Sequence, residues 1–283
     1  MYNFTNSVVA SNVWRLKDLF VNIYFIRNPA DNSWILVDTG IKTSARKIKR
    51  FAAELFGYIS VPKYILITQG HYDHTGSLAI LASEWNVPVY AHPKEIAQLN
   101  NPSEFKSPDP FSGGDLMTFL AFIFQNEPKD FSEHLKPLKG EMLPEMGDWQ
   151  FIHTPGASAG HISLFREKDR VLLAGDACTT TRMESAWAVI KQSQILSGPP
   201  AYFNPDWENA EYSLRKLSAL DPYVLATGHG TPLSGRKMRG DFLHLVKHFK
   251  SLAVPKERAI SEGNPKPVHP TEFENIRGRN FAS

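Results

Sequence analysis

Five short apolar segments that each run into a polar turn constrain this chain more than any other feature of its sequence. The segments read WILVDTG (34–40), YILITQGHYDHTGS (64–77), FIHTPGASAGHISLF (151–165), VLLAGDACTT (171–180) and VLATGHGTP (224–232). Each has the apolar run of a buried strand, followed by an Asp or His near a glycine. Strand ends can meet at one rim of a sheet, and glycine lets the backbone turn close to an ion. The pattern therefore predicts one site built from several turns.

The second of these turns is the richest in metal-binding side chains. Within six residues it offers Gln69, His71, Asp73 and His74. Imidazole and carboxylate ligands suit zinc, manganese or iron, whereas a neutral amide oxygen is a poor ligand. A single HG or GD pair at a strand end usually forms only a turn or a cap. The ordered set of five turns, however, indicates a metal site.

The order of elements predicts an α/β fold. Strands come in two batches with helices between them, which favours two packed sheets with helices outside. We expect residues 1–260 to form one domain, with a lid insertion at about 100–146, and residues 261–283 to form a polar tail. The insertion is apolar and poorly periodic, and its segment LMTFLAFIF (116–124) is a candidate homodimer contact.

Composition narrows the class of partner. The net charge is only +2, so we expect neither nucleic acid nor an anionic membrane as a partner. The single cysteine, Cys178, excludes a disulfide framework. The first residues lack the pattern of a secretory signal, and no apolar run approaches the length of a membrane span. A cytoplasmic enzyme with a small-molecule substrate is the expectation.

In their order and in their residues, the five turns resemble the motifs of the metallo-β-lactamase-fold superfamily over residues 8 to 235. TQGHYDH (68–74) is similar to the family motif T-H-x-H-x-D-H, and TPGASAGH (154–161) to T-P-G-H-T-x-G-H. The resemblance implies a four-layer αββα sandwich of two mixed β-sheets with a dinuclear metal site between them. The layout is most similar to the branch that includes glyoxalase II and lactonases. The position that bridges two metals in the family is Asp176 here rather than a cysteine.

The resemblance implies ligands for two metals, and this chain keeps one set of ligands but not the other. The four second-metal positions are all present: Asp73, His74, Asp176 and His229. The three first-metal positions hold Gln69, His71 and Ala157, so only His71 is left as an imidazole there. His153 and His161 flank Ala157 as replacements, although His161 matches a structural residue of the family. Asp38 matches a turn that supports the site without binding metal.

These positions predict one bound divalent transition metal, with zinc expected and manganese or iron as alternatives. The expected function is hydrolysis of a small ester, thioester, lactone or lactam, with Asp73 or His71 as the base that activates water. Two other readings stay open. One is a catalytically silent protein that keeps one structural metal for binding, and the other is a dinuclear enzyme with unexpected ligands. Gln69 is expected to play no part in holding the metal.

Overall fold

The computed structural model describes residues 7–100, 132–181, 195–201 and 206–254. The predicted dimer contact at 116–124, most of the predicted lid and the predicted tail at 261–283 lie outside these residues. Within the described residues, no helix is both long enough and apolar enough to cross a lipid bilayer.

The first sheet has seven strands among the described residues, and they lie side by side in chain order. They are β1 (Val8–Ala10), β2 (Val13–Asp18), β3 (Val21–Arg27), β4 (Trp34–Val37), β5 (Ile65–Leu66), β6 (Val89–Ala91) and β7 (Leu135–Pro137). Strands β1 to β4 pair antiparallel, and β4 to β7 pair parallel. The nearly continuous burial of β3 and β4 fits strands that are covered on both faces.

The second sheet has five strands among the described residues, in the order β12-β11-β10-β9-β8. They are β8 (Trp149–His153), β9 (Ile162–Arg166), β10 (Val171–Leu173), β11 (Val224–Ala226) and β12 (Leu233–Ser234). Only β10 and β11 pair parallel. Both sheets are therefore mixed, as predicted.

Helices cover the outer face of each sheet. They are α1 (Ala45–Phe56), α2 (Tyr72–Thr75), α3 (Leu78–Trp85), α4 (Pro93–Asn100), α5 (Trp207–Ala219), α6 (Gly235–Lys247) and α7 (Phe249–Leu252). Helix α1 buries Ile48 and Phe51, which are three residues apart on one helical face, against the first sheet. Helices α5 and α6 bury Leu214 and Phe242 against the second sheet.

A separate apolar cluster lies between the two sheets. It joins Tyr24, Val37 and Leu66 of the first sheet to Leu164 and Leu173 of the second. With a helical layer on each outer face, the chain has the layers α, β, β and α. The predicted four-layer αββα sandwich is confirmed.

One predicted boundary is wrong. The lid insertion was expected to extend to residue 146, but Leu135–Pro137 form β7 and pair with β6. Leu143 and Met146 are buried in the cluster between the sheets. This stretch is poorly periodic because its side chains enter the core from irregular backbone rather than from a regular helix or strand.

Parallel strands bring their carboxyl ends to the same edge of a sheet. In the first sheet this edge carries the turns that follow β4 and β5, with Asp38 and Gln69. In the second sheet it carries the turns that follow β10 and β11, with Asp176 and His229. The two edges face each other, and the backbone N–H of Asn22 donates to the carbonyl of Gly228 across the sheets, at 2.8 Å.

Candidate metal centre

Four side chains from three of the predicted turns meet between the two sheets. Asp176 Oδ2 lies 3.3 Å from His74 Nε2 and 3.4 Å from His229 Nε2. Asp73 Oδ2 lies 3.4 Å from His229 Nε2 and 4.0 Å from His74 Nε2. Ligands about 2.0–2.2 Å from a tetrahedral zinc ion are about 3.3–3.6 Å apart. The ligand atoms of Asp73, His74 and His229 lie close enough together to bind one metal ion, and Asp176 contacts both imidazoles.

The ring of His74 is held in the orientation that a metal ligand needs. Its Nδ1 lies 2.8 Å from Asp38 Oδ2, and the carboxylate can only accept, so Nδ1 carries the proton. Asp38 also accepts from the backbone N–H of Thr68 at 2.8 Å and from its hydroxyl at 2.7 Å. Such a carboxylate partner fixes the tautomer and turns the other ring nitrogen towards a metal. Asp38 thus lies behind His74.

The ring of His229 is held in the same way by a backbone carbonyl. Its Nδ1 donates to the carbonyl oxygen of Phe20 at 2.9 Å, which leaves Nε2 facing Asp73 and Asp176. The loop that carries His229 is anchored from the first sheet. Asn22 donates to the carbonyl of Gly230 at 2.7 Å.

Two further side chains of the first sheet anchor the same loop. Arg15 Nη1 donates to the carbonyl of Gly230 at 2.9 Å, and the Tyr24 hydroxyl donates to the carbonyl of Thr227 at 2.6 Å. Sequence reasoning missed Arg15, Asn22 and Tyr24. They look like ordinary strand residues, and their partners are more than 200 positions away in the chain.

The polar atoms that face the centre are buried without ordinary partners. His74 Nε2, His229 Nε2, both carboxylate oxygens of Asp73 and Asp176 Oδ1 have no hydrogen-bond partner among the described residues. All four side chains are buried. A buried polar atom without a partner costs about 1–3 kcal/mol, and a charged one costs more. So many unsatisfied atoms at one point fit a bound cation.

The charged side chains of the cluster shift the pKa values of one another. Burial favours the neutral form of His74, but the carboxylates of Asp176, Asp38 and Asp73 outweigh it and raise the pKa of His74 well above its usual value. Burial also opposes the charged form of His229, and Asp176 is the main group that raises the pKa of this ring. Protons on the two imidazoles therefore act as cations in the absence of a metal. A metal ion must displace them, so its affinity falls as the pH falls.

The two carboxylates of the cluster are shifted in opposite directions. Burial raises the pKa of Asp73. Burial would do the same to Asp176, but the two neighbouring imidazoles, His229 first and His74 second, hold the pKa of Asp176 well below its usual value. Asp176 is therefore the most firmly anionic group at the centre.

The first-metal positions have a different chemistry. Gln69 is fully buried, and its Nε2 donates to Asp176 Oδ2 at 2.6 Å. Ala157 is buried and offers only a methyl group. The amide of Gln69 thus contacts the same oxygen that faces both imidazoles, a contact that the sequence does not predict.

His71 lies beside the cluster but outside its closest group. The described side chains whose ligand atoms all lie within 4.8 Å of one another are Asp73, His74 and His229, so neither His71 nor Asp176 belongs to this group. The His71 ring is half-buried at the start of α2. Burial, opposed by the charge of Asp176, lowers the pKa of His71 to about 3. The ring is therefore neutral at pH 7, and a pKa this low makes it a weak base.

His161 supports the turn of Asp176. Its Nδ1 lies 2.9 Å from the carbonyl oxygen of Thr154, and its Nε2 accepts from the backbone N–H of Asp176 at 3.0 Å. Both ring nitrogens are thus engaged with the protein. His153 is half-buried, and its Nε2 donates to the carbonyl of Ala159.

Glu95 is a further residue of the site that sequence reasoning missed. It is fully buried in the first turn of α4 and accepts from the backbone N–H of Gly70. Its other oxygen accepts from the Ser158 hydroxyl at 2.7 Å and from the N–H of Gly160 at 3.0 Å. One carboxylate therefore ties the turn of Gln69 to the turn of Ala157. An acidic residue in the first turn of a helix is common, so its position in the sequence does not indicate this role.

Known proteins share both the sequence and the fold of this chain. A family model for the metallo-beta-lactamase superfamily matches residues 16–229. The probable metallo-hydrolase YflN of Bacillus subtilis (strain 168) is 38% identical over 245 residues, which are 86% of this chain and 93% of the relative. The probable metallo-hydrolase YybB of the same strain is 30% identical over 210 residues, which are 74% of this chain and 80% of the relative.

A solved structure gives the same result for the fold. The crystal structure of a metallo-beta-lactamase superfamily protein from Sulfolobus tokodaii aligns with a TM-score of 0.59 at 17% identity. The alignment covers 95% of this chain and 94% of the archaeal protein. At this identity the likeness extends to the fold alone.

The Asp38→Asn variant tests the orientation of His74. Asp38 has a φ of 62°, a left-handed conformation that asparagine also tolerates, so the backbone should stay in place. The new NH₂ group would donate to Nδ1 and force the proton onto Nε2, which faces the centre. We expect zinc affinity to fall about 10- to 100-fold in a chelator competition. Asp31→Asn, at an exposed position, is the control, and equal affinities in the two variants would contradict the assignment.

The Gly228→Ala variant tests how closely the turn after β11 approaches the centre. A Cβ atom at this position would overlap Asp176 Oδ1 and lie 3.0 Å from His74 Cε1. We expect at least a tenfold loss of zinc affinity because both proposed ligands must move. In Gly240→Ala, on α6, the added methyl meets no described atom within 4 Å. This control should keep its zinc affinity and gain up to about 1 kcal/mol of stability from better helix propensity.

Proposed function

Since the chain belongs to the metallo-beta-lactamase superfamily, we propose that it is a metal-dependent hydrolase that works with a single metal ion in the second metal position. The proposed ligands are Asp73, His74, Asp176 and His229. The proposed substrate is a small ester, thioester, lactone or lactam. This corresponds to the branch of the superfamily that includes glyoxalase II and lactonases.

The observation that carries the proposal is the shared direction of the four side chains. Both histidines have Nδ1 engaged with the protein, by Asp38 in one case and by the Phe20 carbonyl in the other. Their Nε2 atoms face the carboxylates at 3.3 to 4.0 Å. Both oxygens of Asp73 are also buried without a hydrogen-bond partner among the described residues, which costs free energy unless a cation binds there.

A single metal is proposed because the first-metal positions lack ligands. Gln69 has an amide in place of an imidazole, its N–H is engaged with Asp176, and Ala157 has no donor atom. His71 alone offers one nitrogen, which is too few for a stable zinc site. Zinc is the proposed metal, since the donors are two imidazoles and two carboxylates, and manganese and iron accept the same donors.

When bound, a metal ion supplies a Lewis acid that polarises the substrate carbonyl and lowers the pKa of water. The chain itself supplies the base. His71 is half-buried and neutral, because its pKa is lowered to about 3, and Asp73 has two oxygens at the centre. Asp73 is therefore the proposed base for the attacking water, and His71 is the weaker candidate because its low pKa makes it a poor proton acceptor. Two carboxylate ligands also reduce the net charge of the centre, so we expect slower hydrolysis than at a three-histidine zinc site.

One observation favours a second candidate function. Four protein ligands are the number that closed, structural zinc sites use, whereas catalytic zinc sites usually have three and an open position. The alternative is therefore a catalytically silent protein that keeps one metal for a binding role. Metal content and hydrolysis measured on one sample separate the two functions.

The proposal predicts one metal equivalent per chain together with hydrolysis that needs it. Elemental analysis after extensive dialysis should give close to one equivalent of a transition metal. A panel of esters, thioesters, lactones and lactams should contain a substrate whose hydrolysis stops on chelation and returns with the metal that was removed. One tightly held equivalent with no hydrolysis of the panel would favour the silent protein, and two equivalents would contradict the single-metal site.

The double variant Gln69→His with Ala157→His should recover a second metal. The turn that presents position 157 keeps the family's residues Thr154, Pro155, Gly156 and Gly160. His71 would complete a set of three imidazoles with the two new histidines. We expect two metal equivalents and a rise in hydrolysis of at least tenfold, about 1.4 kcal/mol of barrier. Each single variant should bind the second metal more weakly, since two imidazoles hold zinc less firmly than three. Two bound metals without hydrolysis would show that the pocket itself is inactive.

A further inference from the structure

We propose that Gln69 is a positioning residue for the metal centre. Its side-chain N–H donates to the metal-facing oxygen of Asp176 and holds that oxygen in position, as a second cation would do in a dinuclear site. This inference rests on the proposed single-metal function and deepens it. Gln69 then is a working part of the centre rather than an inert remnant.

The contact that carries the inference involves one oxygen atom. Asp176 Oδ2 accepts from Gln69 Nε2 at 2.6 Å and also faces His74 Nε2 at 3.3 Å and His229 Nε2 at 3.4 Å. A carboxylate oxygen has two lone pairs, so it can accept one hydrogen bond and still face the centre. The amide thus restrains the rotation of Asp176 at the atom that matters for metal binding.

The amide is itself held by the backbone on each side of it. The N–H of Thr68 donates to Asp38, and the N–H of Gly70 donates to Glu95. Both acceptors are buried carboxylates. With residues 68 and 70 fixed, Gln69 is pre-organised towards Asp176. Pre-organised outer partners of this kind commonly change metal affinity 10- to 100-fold when they are removed.

A neutral N–H donor and a cation differ in how much negative charge they leave on Asp176 for the metal in the second position. A cation would share the charge of Asp176, whereas the amide leaves Asp176 a full anion. Asp176 can therefore give more of its charge to a single metal beside His74 and His229. The result expected is a tightly held ion, at the cost of Lewis acidity.

The other end of the amide gives a second point of attachment. Gln69 Oε1 is buried and has no hydrogen-bond partner among the described residues. The two heteroatoms of an amide are only about 2.2 Å apart, so Oε1 lies within about 5 Å of Asp176 Oδ2. It is an acceptor that a buried water molecule would satisfy.

Two variants test the inference on metal binding rather than on activity. Gln69→Leu removes the donor at similar volume, and Gln69→Met removes it while keeping the unbranched shape of the glutamine side chain. The matched control is Gln150→Leu, a half-buried glutamine near the start of β8. The probes are zinc affinity by chelator competition and the visible absorption spectrum of the cobalt(II)-loaded proteins, with unfolding of each metal-free protein followed alongside.

We expect both Gln69 variants to lose at least tenfold in zinc affinity and to shift the cobalt spectrum, while Gln150→Leu matches the wild type in both. If Gln69→Leu fails to fold, Gln69→Met still gives the answer. Affinities and spectra like those of the wild type in the Gln69 variants would overturn the inference. So would a wild type that binds two zinc ions and loses one in Gln69→Leu, because Gln69 would then be a ligand. One zinc, weakened as expected but without hydrolysis of any substrate, would refute only the proposed function.

Discussion

The burial of three carboxylates at one point between two sheets is the constraint on which the rest of this structure depends. Asp38, Asp73 and Asp176 are at most 2% exposed, and two imidazoles lie among them. An unpaired buried charge is among the most unfavourable features a protein can carry, so the cluster needs cations. Protons on His74 and His229 can serve, and a metal ion would serve better because the unsatisfied atoms already point at one place.

The fold supplies this arrangement by bringing strand ends of both sheets to one edge and then bonding the sheets across it. Side chains of β2 and β3 reach the carbonyl groups of the His229 loop, as Arg15 does with Gly230 and Tyr24 with Thr227. Glu95 does the same for two turns of the site by accepting three hydrogen bonds. The metal-facing side chains are therefore fixed by partners outside the cluster, which is what keeps their inward atoms in place.

Much of the fold and part of the site could be predicted from the sequence. Local patterns were enough to predict the sandwich fold. Apolar runs that end in glycine turns indicate the ends of strands, whichever strands they pair with. Such patterns do not report contacts between distant residues: Gln69 and Asp176 are 107 positions apart, and an amide at position 69 looked merely like a lost ligand. The end of the lid insertion was misplaced for a related reason, since Leu143 and Met146 enter the core without a regular period.

The most direct test of a single-metal centre is anomalous X-ray diffraction at the zinc edge from crystals of the zinc-loaded protein. One peak is expected per chain, within coordination distance of His74 Nε2, His229 Nε2 and the carboxylates of Asp73 and Asp176, with Gln69 still bonded to Asp176. A second peak beside His71, with Gln69 turned to bind it, would contradict the account.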